Sequence, residues 1–261
     1  MVWEAWGTGL AGFAAGLLIA VVTAPVGVSG AVFLLPVQLS VLGVPNPAVT
    51  PTNLLFNVVA GPGALARYRD RLDGPLTRLL IAGTLPGVIA GAVVRVHVVP
   101  GPDVFRILVG LLLLPLGLWL CVRSVRRPTG PGDGGPSPRF TTALAAGVGV
   151  VGGVYGIGGG SIVGPILVGR GLPISAVAPA ALASTFLTSL VGALTYAALS
   201  FTAEGDIAPV WSLGLLCGLG GLVGGYLGAR LQPRLPERVL RRLLGVLASA
   251  LGILYLAHGI G

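Results

Sequence analysis

The sequence predicts an all-α polytopic membrane protein made of two inverted-topology repeats with short broken or re-entrant helices. Three observations predict it. First, 54% of the 261 residues are hydrophobic and only 9% are charged, where a soluble domain carries roughly 25% charged residues. Second, the apolar residues come in long blocks, with a mean hydropathy of +0.94, more than a soluble fold of this size can keep from water. Third, an ordered series of Gly, Pro and Tyr positions recurs in the two halves. The 44 Gly and 21 Pro would suggest disorder in water; in lipid they suggest close helix packing and interrupted helices.

Apolar runs between charges and turn residues give ten segments, at about 7–24, 28–43, 48–66, 75–94, 104–122, 140–154, 158–170, 175–201, 207–229 and 239–257. The first starts near Trp6 with no Arg or Lys before it and Glu4 as its only charge, so it reads as a membrane helix rather than a cleaved leader. Within 7–43 and within 140–170 each piece has only ~13–18 residues, about 20–27 Å of helix against a hydrocarbon core of about 30 Å. Each pair is therefore one broken crossing or a hairpin of two short helices. Arg67, Arg69, Arg71 and Arg78 cluster around the connection from the third to the fourth segment. The 123–139 stretch, rich in Pro and Gly, carries Arg123, Arg126, Arg127 and Arg139, and Arg230, Arg234, Arg238, Arg241 and Arg242 cluster around the connection into the last segment. The positive-inside rule puts all three clusters in the cytoplasm. The connections with Arg95, His97, Asp103 and Arg106, and with Glu204 and Asp206, then fall outside. Only an odd number of crossings from Arg139 to Glu204 satisfies this, which favours the hairpin. The chain divides into a first membrane repeat (1–122), a cytoplasmic linker (123–139) and a second membrane repeat (140–261).

The repeat is read residue by residue. Gly27-Val28-Ser29-Gly30 and Pro36 match Gly156-Ile157-Gly158-Gly159 and Pro165 at a spacing of 129. Pro45 to Pro51 match Pro173 to Pro179, and Tyr68 matches Tyr196, at 128. Five segments per half would make the second copy cross with the opposite orientation, the architecture of many secondary transporters.

The net charge of +8 comes from Arg alone, without Lys, and sits in short connections, so it orients the chain rather than tracking nucleic acid. Cys121 and Cys217 lack metal or redox spacing and read as inert thiols. No carboxylate, His or Lys lies deep in an apolar block. That excludes a redox-linked or rotary pump, divalent-metal transport and a membrane enzyme with a buried acid or base, and predicts no cofactor.

Gly156-Ile157-Gly158-Gly159-Gly160-Ser161 lacks the Gly-Lys-Ser/Thr ending of a phosphate loop. A helix starting near Gly158 would instead aim its backbone N–H groups and positive end into the interior. With Gly159, Gly160 and Ser161 it makes a small anion site, the plainer alternative being close helix packing by small residues. Ser29, as an N-cap, and Gly30 form the counterpart. Asn53 and Asn57, four apart and so on one face, and the group Ser184, Thr185, Thr188 and Ser189 supply uncharged donors, with Thr185 matching Asn57.

Gly27 to Pro36 and Gly156 to Pro165, each followed by a Pro-x-x-Ala-Val segment and a polar small-residue helix, resemble the duplicated signature of the TauE/SafE sulfite-exporter family over nearly the whole chain. The resemblance implies a multi-pass permease of a bacterial inner membrane for sulfite, sulfoacetate or related organosulfonates. It implies a site at Gly156–Ser161, Thr185–Ser189, Ser29-Gly30 and Asn53–Asn57. The first copy departs from it, with Val28-Ser29-Gly30-Ala31 in place of a fuller Gly run and Thr52-Asn53 in place of a Thr-Ser pair. The expected partners are a small anionic substrate and the bilayer, with a coupling proton or ion as an optional third. An anion channel or uptake carrier for small organic acids on the same scaffold is the second reading, and a non-transporting membrane scaffold the third.

Overall fold

In hydrocarbon there is no water to bond a bare backbone, so each apolar block satisfies its N–H and C=O groups within itself. In the computed structural model, which describes residues 2–71, 74–98, 102–125, 136–170, 172–202, 207–234 and 236–260, every one of the ten predicted segments is a helix. They are α1 (Val2–Thr23), α2 (Ala31–Ser40), α3 (Val49–Tyr68), α4 (Gly74–His97), α5 (Pro102–Val125), α6 (Pro138–Tyr155), α7 (Gly160–Gly169), α8 (Ile174–Leu199), α9 (Trp211–Leu231) and α10 (Glu237–Ile260). The chain is thus an all-α, polytopic membrane protein. Three spans, Gly74–His97, Ser175–Leu199 and Trp211–Leu231, are long and apolar enough to cross a bilayer on length and composition alone.

The first helix of each pair ends in the same way. Gly27 (φ 73) and Gly156 (φ 72) adopt the left-handed conformation. The following N–H groups reach back, Val28 to the Thr23 carbonyl at 3.3 Å and Ile157 to the Gly152 carbonyl at 3.2 Å, the pattern of a glycine-terminated helix. The two pieces of each pair differ in length more than the ~13–18-residue apolar runs suggested. α1 has 22 residues and α6 has 18, whereas α2 and α7 have ten each, or about 15 Å of helix. The charged Glu4 does not stop α1, and the turns consume the residues between Gly27 and Gly30 and between Gly156 and Gly159.

Both turns send the chain back. A Cβ built on Gly159 would lie 3.6 Å from Gly149, although ten residues of continuous helix would separate them by about 15 Å. α7 then runs antiparallel to α8, with Gly160 against Ala181 and Gly164 against Ala181 and Val177. Gly30 likewise returns to Ile19 and Thr23.

Lipid offers little hydrophobic drive between helices, so close backbone contact at small residues sets the packing. Gly83, Gly87 and Gly91 on α4 meet the α6 backbone at Thr142, Ala146 and Val150, so the two helices run parallel. Gly220, Gly224 and Gly228 on α9, at a spacing of 137 from the first three, meet the α1 carbonyls of Phe13, Leu17 and Val21 in the same sense. α3 runs parallel to α9 (Leu55 on Gly214, Ala64 on Gly225) and antiparallel to α8 (Leu54 on Gly192, Gly61 on Phe186). α4 and α8 run parallel, joined at Thr84–Ser184 and Val88–Gly192. α5 and α10 form an antiparallel pair, with Gly110 on Leu256 and Gly117 on Ser249. Exchanging α1–α5 with α6–α10 leaves this set of neighbours unchanged.

Two expectations need correction or limits. Arg95, assigned to an outer connection, is instead inside α4 and fully buried, because the helix continues past the apolar run to His97. Most of the 123–139 linker, including Arg126 and Arg127, lies outside the described residues, as do Glu204 and Asp206. Neither Cys121 nor Cys217 is in a disulfide, and Cys217 is buried.

Ala at Gly87 would drive its Cβ into the Ala146 carbonyl, whereas Gly147 has open space at that position. Gly87→Ala is expected to lower stability in detergent by about 1–3 kcal/mol. Gly147→Ala should leave it unchanged or raise it by up to ~1 kcal/mol. Thermal melting of the two variants checks this; equal melting would contradict the close α4–α6 approach.

Candidate functional site

The site is built where the two helix breaks meet α3. Asn53 and Asn57 lie one turn apart on the buried face of α3. Asn53 donates from Nδ2 to the Ala31 carbonyl at 2.9 Å, fixing α3 to the first turn of α2. Asn57 spans both breaks: its Nδ2 donates to the Gly156 carbonyl at 3.3 Å, and its Oδ1 accepts from Ser29 Oγ at 2.5 Å. Gly156 can sit there only without a side chain, since a Cβ would collide with the Thr50 carbonyl. Gly27 is held the same way against Ala178 of α8.

The helix starts differ slightly from expectation. Gly30 occupies the N-cap position of α2, and Ser29 serves from one residue earlier, its Oγ accepting from the Ala31 N–H at 3.2 Å. Gly159 caps α7, preceded by Gly158 in the left-handed region (φ 70). Ser161 Oγ donates to the Ile157 carbonyl at 2.9 Å, so its proton braces the turn. Thr52 is likewise engaged, donating to Ala48 at 2.7 Å and accepting from Val210 N–H at 2.9 Å.

On the other side of the turn stands a hydroxyl cluster. Thr84 of α4 shares a hydrogen bond with Ser184 at 3.0 Å and accepts one from Thr188 at 2.8 Å. Gly158 faces Thr185 and Ser189, and Gly159 faces Thr84. Four buried polar atoms in this region have no hydrogen-bond partner: Thr23 Oγ1, Asn53 Oδ1, Thr185 Oγ1 and Ser189 Oγ. Each such atom costs about 1–3 kcal/mol. All four lie near the two helix breaks.

A cavity of about 40 Å³ lies beside Thr23 and Thr185, lined also by Ser29, Gly30 and Asn57 and over most of its wall by apolar residues such as Phe56, Leu182 and Phe186, room for a few waters at most. Of the residues singled out from sequence, Ser29, Gly30, Asn57 and Thr185 line it; Asn53, Gly158, Gly159, Gly160, Ser161, Thr188 and Ser189 do not. The cavity ends against an apolar plug of Ala24, Ala64, Tyr68, Leu182 and Ala229. Leu54, Ala92 and Tyr196 form a second plug. These are the repeat counterparts of Leu182, Ala229 and Tyr68, at spacings of 128 or 137. Tyr196 seals it further by donating to the Gly153 carbonyl at 2.9 Å.

Sequence reasoning missed Thr23, Thr84 and Arg95. Thr23 and Thr84 are single hydroxyls in apolar runs. The signal that could have found Thr84 is its position next to the Gly83 stripe; for Arg95 it is the place four residues beyond Gly91. Arg170, at the C-terminal end of α7, is exposed and stacks on Phe140 with Cζ 4.0 Å from the ring centroid, an anchor rather than a site residue. Among the described residues no group of three or more His, Cys, Asp or Glu could hold a metal.

Compared with known proteins, residues 12–255 match the family model described as Sulfite exporter TauE/SafE. No curated protein and no solved structure matches the chain.

Replacing Thr185 by Val keeps the shape and removes an unpartnered buried hydroxyl, so stability in detergent should rise by about 1 kcal/mol. Asn57→Ala strips Ser29 and Gly156 of their partner and should lower it by ~2–4 kcal/mol. Thermal melts of both variants test the assignment; a destabilised Thr185→Val would show that its hydroxyl is engaged in the resting protein.

Proposed function

The chain belongs to the TauE/SafE sulfite exporter family, and from that premise we propose that it is a secondary transporter carrying sulfite, sulfoacetate or another small organosulfonate through the cavity at Asn57. Family members are transporters of small anions, not enzymes. The observation that carries the reading is the cavity at the first helix break, lined by Thr23 and Thr185, whose buried hydroxyls have no protein partner. Donors of this kind, with the α2 and α7 N-terminal ends, can replace part of an anion's hydration shell without a fixed charge that would oppose release. The substrate-binding set in this reading is Ser29, Gly30, Asn53, Asn57, Gly158, Gly159, Gly160, Ser161, Thr185, Thr188 and Ser189, with Thr23 and Thr84 added.

The halves act as inverted repeats. Support comes from the helix directions: α1, α3 and α9 share one direction, and α6, α8 and α4 share the opposite one, as the Gly contacts require. The two matched plugs are then the two gates of alternating access. The cavity lies toward the C-terminal half of α3, the end that leads to Arg67 and Arg69. With that end cytoplasmic, the cavity lies on the inner side of the bundle behind the first plug, and the protein resides in a bacterial inner membrane with its linker inside. Apolar plugs on both sides favour a carrier over a channel.

Reconstituted protein should drive sulfite or sulfoacetate flux, with Thr185→Val raising KM about tenfold, the scale of one hydrogen bond to a charged group. Leu194→Ala, at a 63% exposed lipid-facing position, should match the parent. A folded Thr185→Val protein with parental kinetics would move the site elsewhere. Topology is checked separately with an impermeant thiol reagent applied from outside. A cysteine replacing Gly261 should react and one replacing Gly134 should not; the reverse result overturns the assigned orientation.

A further inference from the structure

The stripe by which α4 meets α6 continues one turn beyond Gly91 to Arg95. Arg95 is 0% exposed, the one charged side chain that is buried among the described residues. Its guanidinium donates to Asn46 Oδ1, in the segment leading into α3. It also lies over the Phe105 ring of α5, with Cζ 4.2 Å from the centroid. Phe105 in turn packs on Tyr155, at the end of α6, with ring centroids 5.7 Å apart. Tyr196 of the second plug is a further electrostatic neighbour. One cation therefore ties together α4, α5 and the strap before α3, beside the plug that closes the end remote from the cavity.

The repeat supplies a comparison. At the spacing of 137 that relates the two Gly stripes, the counterpart of Arg95 is Gln232. It is half-buried in the turn after α9 and donates from Nε2 to the Pro25 carbonyl beyond the end of α1 at 2.8 Å. At this matched position one end of the bundle has a buried guanidinium and the other a neutral amide.

We propose that Arg95 is the anion ligand of the second gate, exchanging Asn46 for the substrate when that gate opens. This rests on the transport reading and names the residue that meets the oxyanion at the end remote from the cavity. Asn46 offers the guanidinium a neutral amide oxygen. A sulfite, sulfonate or carboxylate offers two charged oxygens in a geometry that a guanidinium fork matches bidentately, which makes it the stronger acceptor. Its arrival would release the strap before α3 from α4, coupling substrate binding to opening. A charged side chain at membrane depth is expected to serve such a pathway.

The test measures sulfite flux into proteoliposomes from each face separately, for the parent, Arg95→Gln, Arg95→Lys and Asn46→Ala. Arg95→Gln should raise KM about tenfold or more at the face where α4 ends, leaving KM at the opposite face unchanged, and Arg95→Lys should recover part of the loss. Asn46→Ala, which removes the competing acceptor, should lower KM at that same face. A purely structural role predicts a fall in kcat at both faces with KM unmoved, and that result overturns the proposal. If Arg95→Gln does not fold, an unchanged KM in Asn46→Ala overturns it. If the parent carries no sulfite, the transport reading falls. The ligand assignment is then decided by melting of the purified proteins with sulfite. Stabilisation of the parent that is absent in Arg95→Gln sustains it, and none in the parent removes it.

Discussion

Everything in this structure depends on how a chain can interrupt its helices at membrane depth without stranding backbone groups in hydrocarbon. An unsatisfied backbone group there costs several kcal/mol, so irregular chain survives only where protein surrounds it. The breaks at Gly27 and Gly156 meet the condition by leaning on the opposite half: Gly27 lies against Ala178 of α8, and Gly156 lies against Thr50 of α3. Each half thus supplies part of the wall around the other's break. The Gly stripes at 83, 87, 91 and at 220, 224, 228 serve the same end, because backbone-to-backbone packing brings the long helices close enough to wall in the turns. Asn57 completes the arrangement by bonding Ser29 of one break and Gly156 of the other.

That shelter also produces the candidate site. A break satisfied by the protein down to the last donor would be only a structural knot. Here Thr23, Thr185 and Ser189 keep buried hydroxyl oxygens without partners while Ser161, Thr52 and Thr188 spend theirs on the scaffold. The division follows position: hydroxyls that can reach a helix carbonyl or another hydroxyl do so, and those facing the glycine turns find no side chain opposite. Glycine therefore does two things at once. It admits the left-handed turn, and it removes the side chain that would otherwise have filled the space before Thr185.

Much of this was legible in the sequence, and the parts that were not share a cause. The ten helices, the homologous breaks and the Ser29, Asn57 and Thr185 positions follow from local signals: apolar run length, Gly-rich turns and aligned spacing. The helix lengths in each pair were misjudged because Glu4 ended the apolar run without ending α1. Arg95 was misplaced for a related reason. Counting charges assigns it to a loop, whereas its burial depends on Asn46 and Phe105, one 49 residues earlier and the other ten residues later. Thr84 could not be found from its own neighbourhood; only its packing against Gly159 and Ser184 gives it meaning. Run length and spacing report what a segment is, while a site is defined by what the fold sets opposite it.

The two halves share a scaffold and differ in chemistry, and the difference falls at corresponding points. Asn57 stands where the second half has Thr185, Ser29 where it has Gly158, and Arg95 where the second half has Gln232. The plugs, by contrast, keep the same Tyr, Leu and Ala in both halves. A scaffold that exchanges two states by swapping the conformations of its halves needs gates of similar strength; otherwise one state would dominate and transport would stall. It does not need equal ligands. Like plugs with unlike donors keep the two states close in energy while the anion meets a different set of groups from each side, which lets affinity differ between the faces without blocking the exchange.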